Sequence, residues 1–309
     1  MSDIKKYAYI FPGQGSQAVG MGKDLYDGFD TARALFKQAD ESINFHLSKL
    51  CFEGPEEELR QTINAQPALV TVSIVCLRVA QEIVGQKLPV PACMAGHSLG
   101  EYTAMAAAGV IDFPTAVRLA RERGRLMLEA GKIQPGTMAA VIGMDEAVLS
   151  DICKQTGTVI ANINCPGQLV ISGGVENVLK ASEIAKEKGA RVTPLQVSGA
   201  FHSPLMQPAV EGMVKVLEIT QFHDPDVPII SNVDAKPLSD KTQFKDELLR
   251  QLTSSVQWQK SVEFMLSQGI KSYLEIGSGK VLAGLGRRIS RDIETINLSD
   301  SNTIKSLAV

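Results

Sequence analysis

Met94-Ala95-Gly96-His97-Ser98-Leu99-Gly100-Glu101, with the helix-forming run that follows through Ala108, is the stretch that decides the fold. A short apolar approach meets a serine with glycine two positions before and two after it. This G-x-S-x-G spacing marks a turn from strand to helix that holds a serine at its tip. The reason is steric, because so sharp a turn leaves room only for small residues on either side of the serine. A helix starting there also aims the positive end of its dipole at charge that develops beside the serine. A tight turn with no chemistry has the same spacing, so the motif needs support from elsewhere in the chain.

Upstream, the apolar run Tyr7–Phe11 stops at Pro12-Gly13-Gln14-Gly15 and reads as a buried strand feeding a glycine loop. Residues 32–51, 66–84 and 112–128 read as helices, the last N-capped by Asp112 with Pro114 in its first turn. Strands alternating with longer helices predict an α/β domain with a largely parallel sheet. From about Gly136 the rhythm changes. Strands over 138–142, 159–164, 168–172 and 191–197, with helices over 145–155 and 175–188, give the order β-α-β-β-α-β of a ferredoxin-like unit. The expected division is therefore a core made of residues 1–132 and 204–309 with an insert at 133–203. The core resumes with a strand over 227–231, a helix near 244–252 and a strand over 272–276 that ends in Gly277-Ser278-Gly279.

The chain has 309 residues, 44% of them hydrophobic and 21% charged, with a net charge of −3, which argues against a partner held by basic charge such as nucleic acid or a membrane surface. Five scattered cysteines (Cys51, Cys76, Cys93, Cys153, Cys165) lack C-x-x-C spacing and suggest neither a disulfide framework nor a metal site. The charged start Met1 to Lys6 is unlike a signal peptide, and the uncharged stretch 61–77 is too short and polar to span a bilayer. A soluble cytoplasmic protein is expected. Gly13-Gln14-Gly15 lacks the third glycine of a dinucleotide loop, and Gly277-Ser278-Gly279-Lys280 lacks the spacing of a P-loop.

A nucleophilic serine needs a base. Of four histidines, His97 lies inside the turn, while His46 and His223 stand in polar surroundings that read as surface. His202 follows Val197-Ser198-Gly199-Ala200-Phe201, where the insert returns the chain to the core, and is the candidate; a capping or core histidine would look the same. Arg121, Arg123 and Arg125 share one helix pattern, and spacing leaves open which of them is a solvated surface charge.

Taken together, Phe11-Pro12-Gly13-Gln14-Gly15-Ser16-Gln17, Gln66-Pro67-Ala68, Gly96-His97-Ser98-Leu99-Gly100-Glu101, Arg123-Gly124, Asn164-Cys165-Pro166-Gly167-Gln168, Phe201-His202-Ser203, Val256-Gln257-Trp258 and Glu275-Ile276-Gly277 resemble, in order along the whole chain, the malonyl-CoA:acyl carrier protein transacylases of fatty-acid synthesis. The resemblance implies an α/β-hydrolase-like core with a ferredoxin-like insert. It implies Ser98 as nucleophile, His202 as base, the N–H groups of Leu99 and Gln14 as oxyanion hole, and the Gln251 carbonyl orienting the histidine. Arg123 would grip the malonyl carboxylate, and Phe201 beside the base would exclude an α-methyl group. Gln66, Asn164 and Asn232 match positions near the cleft, where turn or core hydrogen bonding explains them equally well. Malonyl-CoA, the carrier's phosphopantetheine thiol and the acyl carrier protein are the implied substrates and partner, with no metal or other cofactor; a monomer is compatible with all of this. A basic cluster at Lys280, Arg287, Arg288 and Arg291 suits an acidic carrier or simply a solvated face. The other readings are a serine thioesterase or esterase on the same turn, and a carrier-binding module without catalysis.

Overall fold

The computed structural model describes residues 5–308. Strands β1 (Tyr7–Phe11) and β2 (Pro91–Gly96) pair in parallel, with Phe11 opposite Gly96. The insert contributes β3 (Gly136–Ile142), β4 (Val159–Cys165), β5 (Gln168–Gly174) and β6 (Arg191–Pro194). The chain then adds β7 (Ile229–Ile230), β8 (Pro237–Leu238), β9 (Ser272–Ile276) and β10 (Glu294–Leu298). Two sheets result, in the orders β10-β9-β1-β2-β7-β8 and β4-β5-β3-β6. The first is parallel except for β8 on β7, and the second is wholly antiparallel. The second order is that of a ferredoxin-like sheet, as its element sequence predicts.

Side-chain alternation along β1 sends Tyr9 and Phe11 into one apolar cluster and Ala8 and Ile10 into another. The large sheet is therefore covered on both faces, as a parallel sheet must be. The first cluster centres on the helix Thr62–Val84, long and apolar enough to suit a membrane span, yet 72% of its most apolar window is buried inside the fold. Pro67 lies within this helix. Its missing N–H frees the Ile63 carbonyl, which accepts from Arg121 Nη1 at 3.1 Å. The helix Phe113–Ile133 crosses at Gly124, where any Cβ would collide with the backbone of Thr62 and Ile63. That close crossing brings Arg123 beside Gln66. Asp112 caps the helix by accepting from the Thr115 N–H at 2.7 Å.

The insert has its own core, including Val141, Leu149, Ile163, Ile171 and Val178. Its β4 edge is tied to the larger unit through Val256, whose N–H donates to Ala161 O at 2.8 Å and whose carbonyl accepts from Ile163 N–H at 2.9 Å.

Several expectations need correction. The helix expected over 32–51 is two helices, Asp30–Ile43 and Leu47–Glu53, broken where Asn44 turns left-handed with φ 47°. The strand expected over 191–197 ends at Pro194. The strand expected over 227–231 pairs only at Ile229–Ile230. Edge strand β10 carries no strong apolar signal, because among its residues only Leu298 is buried and one side faces water.

The C-terminal ends of β1, β2 and β9 converge, the usual place for a site in an open parallel sheet. Gly100 packs its Cα against the Phe11 carbonyl, so a methyl there would push backbone into backbone. Gly100→Ala is expected to destabilise the protein by about 3 kcal/mol or more, read by urea titration, since neither strand nor helix can yield. A loss under about 1 kcal/mol would mean that this contact relaxes freely.

Candidate active site

Ser98 leaves β2 with φ 51° and leads into the helix Gly100–Ala107. A left-handed serine is strained by roughly 1–3 kcal/mol and persists only when its surroundings fix it. Three contacts do so. A Cβ at Gly96 would strike the Gly100 backbone, and one at Gly13 would strike the His97 carbonyl, so both glycines permit approaches that no other residue allows. The Asn232 side chain completes the clamp, accepting from Ser98 N–H at 2.6 Å and donating to Gly96 O at 2.7 Å.

His202 Nε2 lies 2.8 Å from Ser98 Oγ, and its Nδ1 lies 2.8 Å from the carbonyl oxygen of Gln251. A carbonyl only accepts, so Nδ1 carries the proton and Nε2 offers its lone pair to the serine hydroxyl. The arrangement is that of a serine nucleophile with an oriented base, a carbonyl standing where many triads have a carboxylate. His202 is buried, and burial together with the Arg123 charge lowers its pKa to about 3. It is neutral at any ordinary pH. His46 and His223 are exposed. The remaining histidine, His97, is half-buried at the cavity, with Nε2 2.9 Å from Asn164 Oδ1 and its ring 5.6 Å from that of Trp258.

Arg123 is 1% exposed, and its guanidinium reaches Ser98 Oγ at 3.2 Å, Gln66 Oε1 at 2.8 Å and Gln251 Oε1 at 2.8 Å. The Tyr102 ring lies 5.5 Å from its Cζ. None of these partners is a carboxylate. Arg125 pairs with Glu122 and Glu129 at the surface, and Arg121 donates to the Ile63 carbonyl that Pro67 leaves free, so Arg123 alone of the three turns to the serine. Gln66 departs from its expected place against substrate. It is fully buried behind Arg123, donating to Thr62 Oγ1 at 2.8 Å, and does not line the cavity.

The cavity over Ser98 measures about 560 Å³. Gln14 and Leu99 line its floor, and among the described residues their backbone N–H groups have no acceptor. Thr62 Oγ1 donates to Gln14 Oε1 at 3.0 Å and anchors that loop. Phe201, Met127, Met138 and Val170 supply apolar lining, and Asn162, Asn164 and Gln168 add polar lining from the insert. Phe201 is 5% exposed and adjoins the base, so core packing and cavity lining are one role at this position. Val281, Leu282 and Leu285 of the helix Val281–Ile289 close the rim. Arg287 and Arg288 lie in the last turn of that helix, where Arg288 bonds Gln168, and Arg291 follows just beyond its end.

Sequence reasoning assigns no role to Glu101 or to the Gln251 side chain. Glu101 is fully buried; Oε1 accepts from Asn232 N–H at 2.9 Å and Asn232 Nδ2 at 3.2 Å, and Oε2 accepts from Gln251 Nε2. Burial and then the nearby Glu247 push its pKa well above the usual carboxylate value, against the opposing pull of Asn232, Gln251 and Arg123. An acid in the first turn of a helix reads as ordinary dipole compensation. Only its lack of solvent sets it apart, and burial is invisible in a single residue.

Residues 8–298 match the acyl transferase domain family. A malonyl CoA-acyl carrier protein transacylase of Bacillus subtilis is 47% identical over 308 residues, covering 98% of this chain and 96% of that one. A solved acyl-carrier-protein S-malonyltransferase from Bartonella henselae superposes with a TM-score of 0.94 at 41% identity, covering 98% of this chain and all of that one. A malonyl-transacylase solved in complex with its type II polyketide acyl-carrier protein gives 0.94 at 40% identity, over 98% of this chain and 99% of that one. Fold, cavity and relatives agree, and the chain belongs to the malonyl-CoA:acyl carrier protein transacylase family.

Proposed function

We propose that the protein moves a malonyl group from coenzyme A to the phosphopantetheine thiol of an acyl carrier protein, by way of a malonyl ester on Ser98. The observation that carries this reading is a buried guanidinium 3.2 Å from the candidate nucleophile with no carboxylate of its own to hold. Such a cation suits a substrate that brings its own carboxylate, and a plain esterase has no use for it.

In the first half-reaction His202 Nε2 takes the proton of Ser98 as Oγ attacks the thioester carbonyl. The oxyanion meets the N–H groups of Gln14 and Leu99, the C–S bond breaks, and the coenzyme A thiolate leaves with the proton from His202. In the second the carrier thiol gives its proton to His202, its sulfur attacks the ester, and Ser98 regains a hydrogen. One thioester is made for each one broken, so the balance needs no redox group or metal. The apolar wall around Phe201 keeps water from the ester and fills the space an α-methyl group would need.

The charges act in sequence. After burial itself, the Arg123 charge is the largest cause that depresses the His202 pKa. A malonyl carboxylate seated on Arg123 cancels that charge, so the substrate itself makes the imidazole a stronger base. Acetyl has no carboxylate and leaves His202 depressed. The insert of residues 133–203 acts here as one wall of the acyl site. A cytoplasmic setting fits five cysteines that are all buried and unpaired among the described residues.

Three measurements test this reading. Intact mass after brief incubation with malonyl-CoA should show a malonyl adduct that Ser98→Ala abolishes; an adduct persisting in that variant moves the nucleophile elsewhere. Arg123→Ala should lower malonyl acylation at least about tenfold more than acetyl acylation, because only malonyl loses a charged partner. Equal losses would make Arg123 structural. In single turnovers the acid limb of malonyl acylation should lie well below the ordinary histidine value of about 6.5. Neutral His202 is the active form and its pKa is depressed, so activity is present above that limb and is lost only as pH falls toward it. A limb at about 6.5 or above contradicts the assignment of His202.

A further inference from the structure

A buried cation must be balanced, yet one that has to receive a substrate carboxylate cannot be capped by a carboxylate of its own. Arg123 meets both demands through an intermediary. Its Nη2 donates to Gln251 Oε1 at 2.8 Å, and the other end of the same amide, Nε2, donates to Glu101 Oε2 and to Ser98 O, the latter at 3.0 Å. The amide orientation is fully specified, with a donor-only guanidinium on its oxygen side and two acceptors on its nitrogen side. The two oxygens of Glu101 face three N–H donors, from the Asn232 backbone, the Asn232 side chain and Gln251. These donors take three of the four lone-pair positions of the carboxyl group, a pattern that suits the ionised form although burial and Glu247 push its pKa up.

We propose that Glu101 is the remote counter-ion of Arg123, with the Gln251 amide between them as a spacer that balances the charge while leaving the guanidinium open to substrate. Glu101 is thus a positioning residue, acting on acyl-group choice through Gln251 and on the nucleophile through Asn232. This rests on the reading of Arg123 as the partner of the malonyl carboxylate.

The decisive variant exchanges the two side chains, Glu101→Gln with Gln251→Glu. The new amide at position 101 would still accept from Asn232 through its oxygen. Its nitrogen would donate to the new carboxylate at position 251, which would in turn accept from Arg123. The bonds to Asn232 and Arg123 survive, the donation from position 251 to Ser98 O is lost for both acyl groups alike, and a carboxylate now caps the guanidinium directly. The ratio of malonyl to acetyl acylation rates, read by intact mass, should fall about tenfold or more from the parent's. A ratio within about threefold of the parent's overturns the proposal. If the double variant does not fold, Glu101→Gln alone decides the matter by thermal unfolding with and without sodium malonate. An uncompensated Arg123 should make malonate raise the midpoint more than it raises the parent's; an equal rise overturns the proposal. Failure of the parent to form any malonyl ester would instead strike the functional reading, and the parent control shows which has failed.

Discussion

Holding a full positive charge out of water beside a reactive serine is the constraint on which the rest of this site depends. An isolated ion in a low-dielectric interior is penalised by many kcal/mol, so every neighbour of Arg123 has to contribute. Gln66 and Gln251 give it amide oxygens, Tyr102 gives it a ring face, and the Glu101 carboxyl lies one residue further away through Gln251. The position of Arg123 is in turn a matter of backbone clearance. The helix that carries it crosses Thr62–Val84 closely enough only because residue 124 is glycine. One absent side chain thus sets the depth of the cation.

The same economy of clearance builds the nucleophile. Gly13, Gly96 and Gly100 each stand where a methyl group would meet backbone, and together they draw the ends of β1 and β2 onto one point. The two N–H groups left without acceptors, on Gln14 and Leu99, come one from each of the loops so joined. Convergence of strand ends, strain at Ser98 and the available donors are consequences of a single close packing. The insert is fastened at β4 through Val256, a few residues after the Gln251 carbonyl that orients His202, so the wall of the cavity and the support of the base lie on one short segment.

Much of this is legible in the chain because it is written in residues with few alternatives. The G-x-S-x-G turn, the glycine loop at 13–15 and the ferredoxin-like order of elements each follow from sterics or periodicity, and each appears in the fold. The pairing of Ser98 with His202, 104 positions apart, rests on comparing the four histidines and then on resemblance, since no local pattern joins them. Resemblance also sets Gln66 near substrate, whereas helix geometry turns it behind Arg123. Asn44, β6 and β10 show the limits of propensity, because a single left-handed residue or an edge half in water leaves little periodic signal. Glu101 escapes a reading of the sequence because its meaning is its burial, and that burial is set by Asn232 and Gln251, far along the chain.

That distribution of signal follows the division of labour in the site. Groups that touch the reacting atoms must keep their chemistry, and so they stand out as a serine, a histidine and an arginine. Groups that tune those three need only present the right oxygen or N–H at the right place, which many residues could do. Arg123 shows how far the tuning reaches, since its charge is felt by His202 on one side and reaches the Glu101 carboxyl through Gln251 on the other. In the proposed reading, a substrate carboxylate on Arg123 offsets the charge that His202 feels and gives the cation its direct partner in the same step. On that reading recognition and activation are a single electrostatic event, and an acyl group lacking the charge forfeits both.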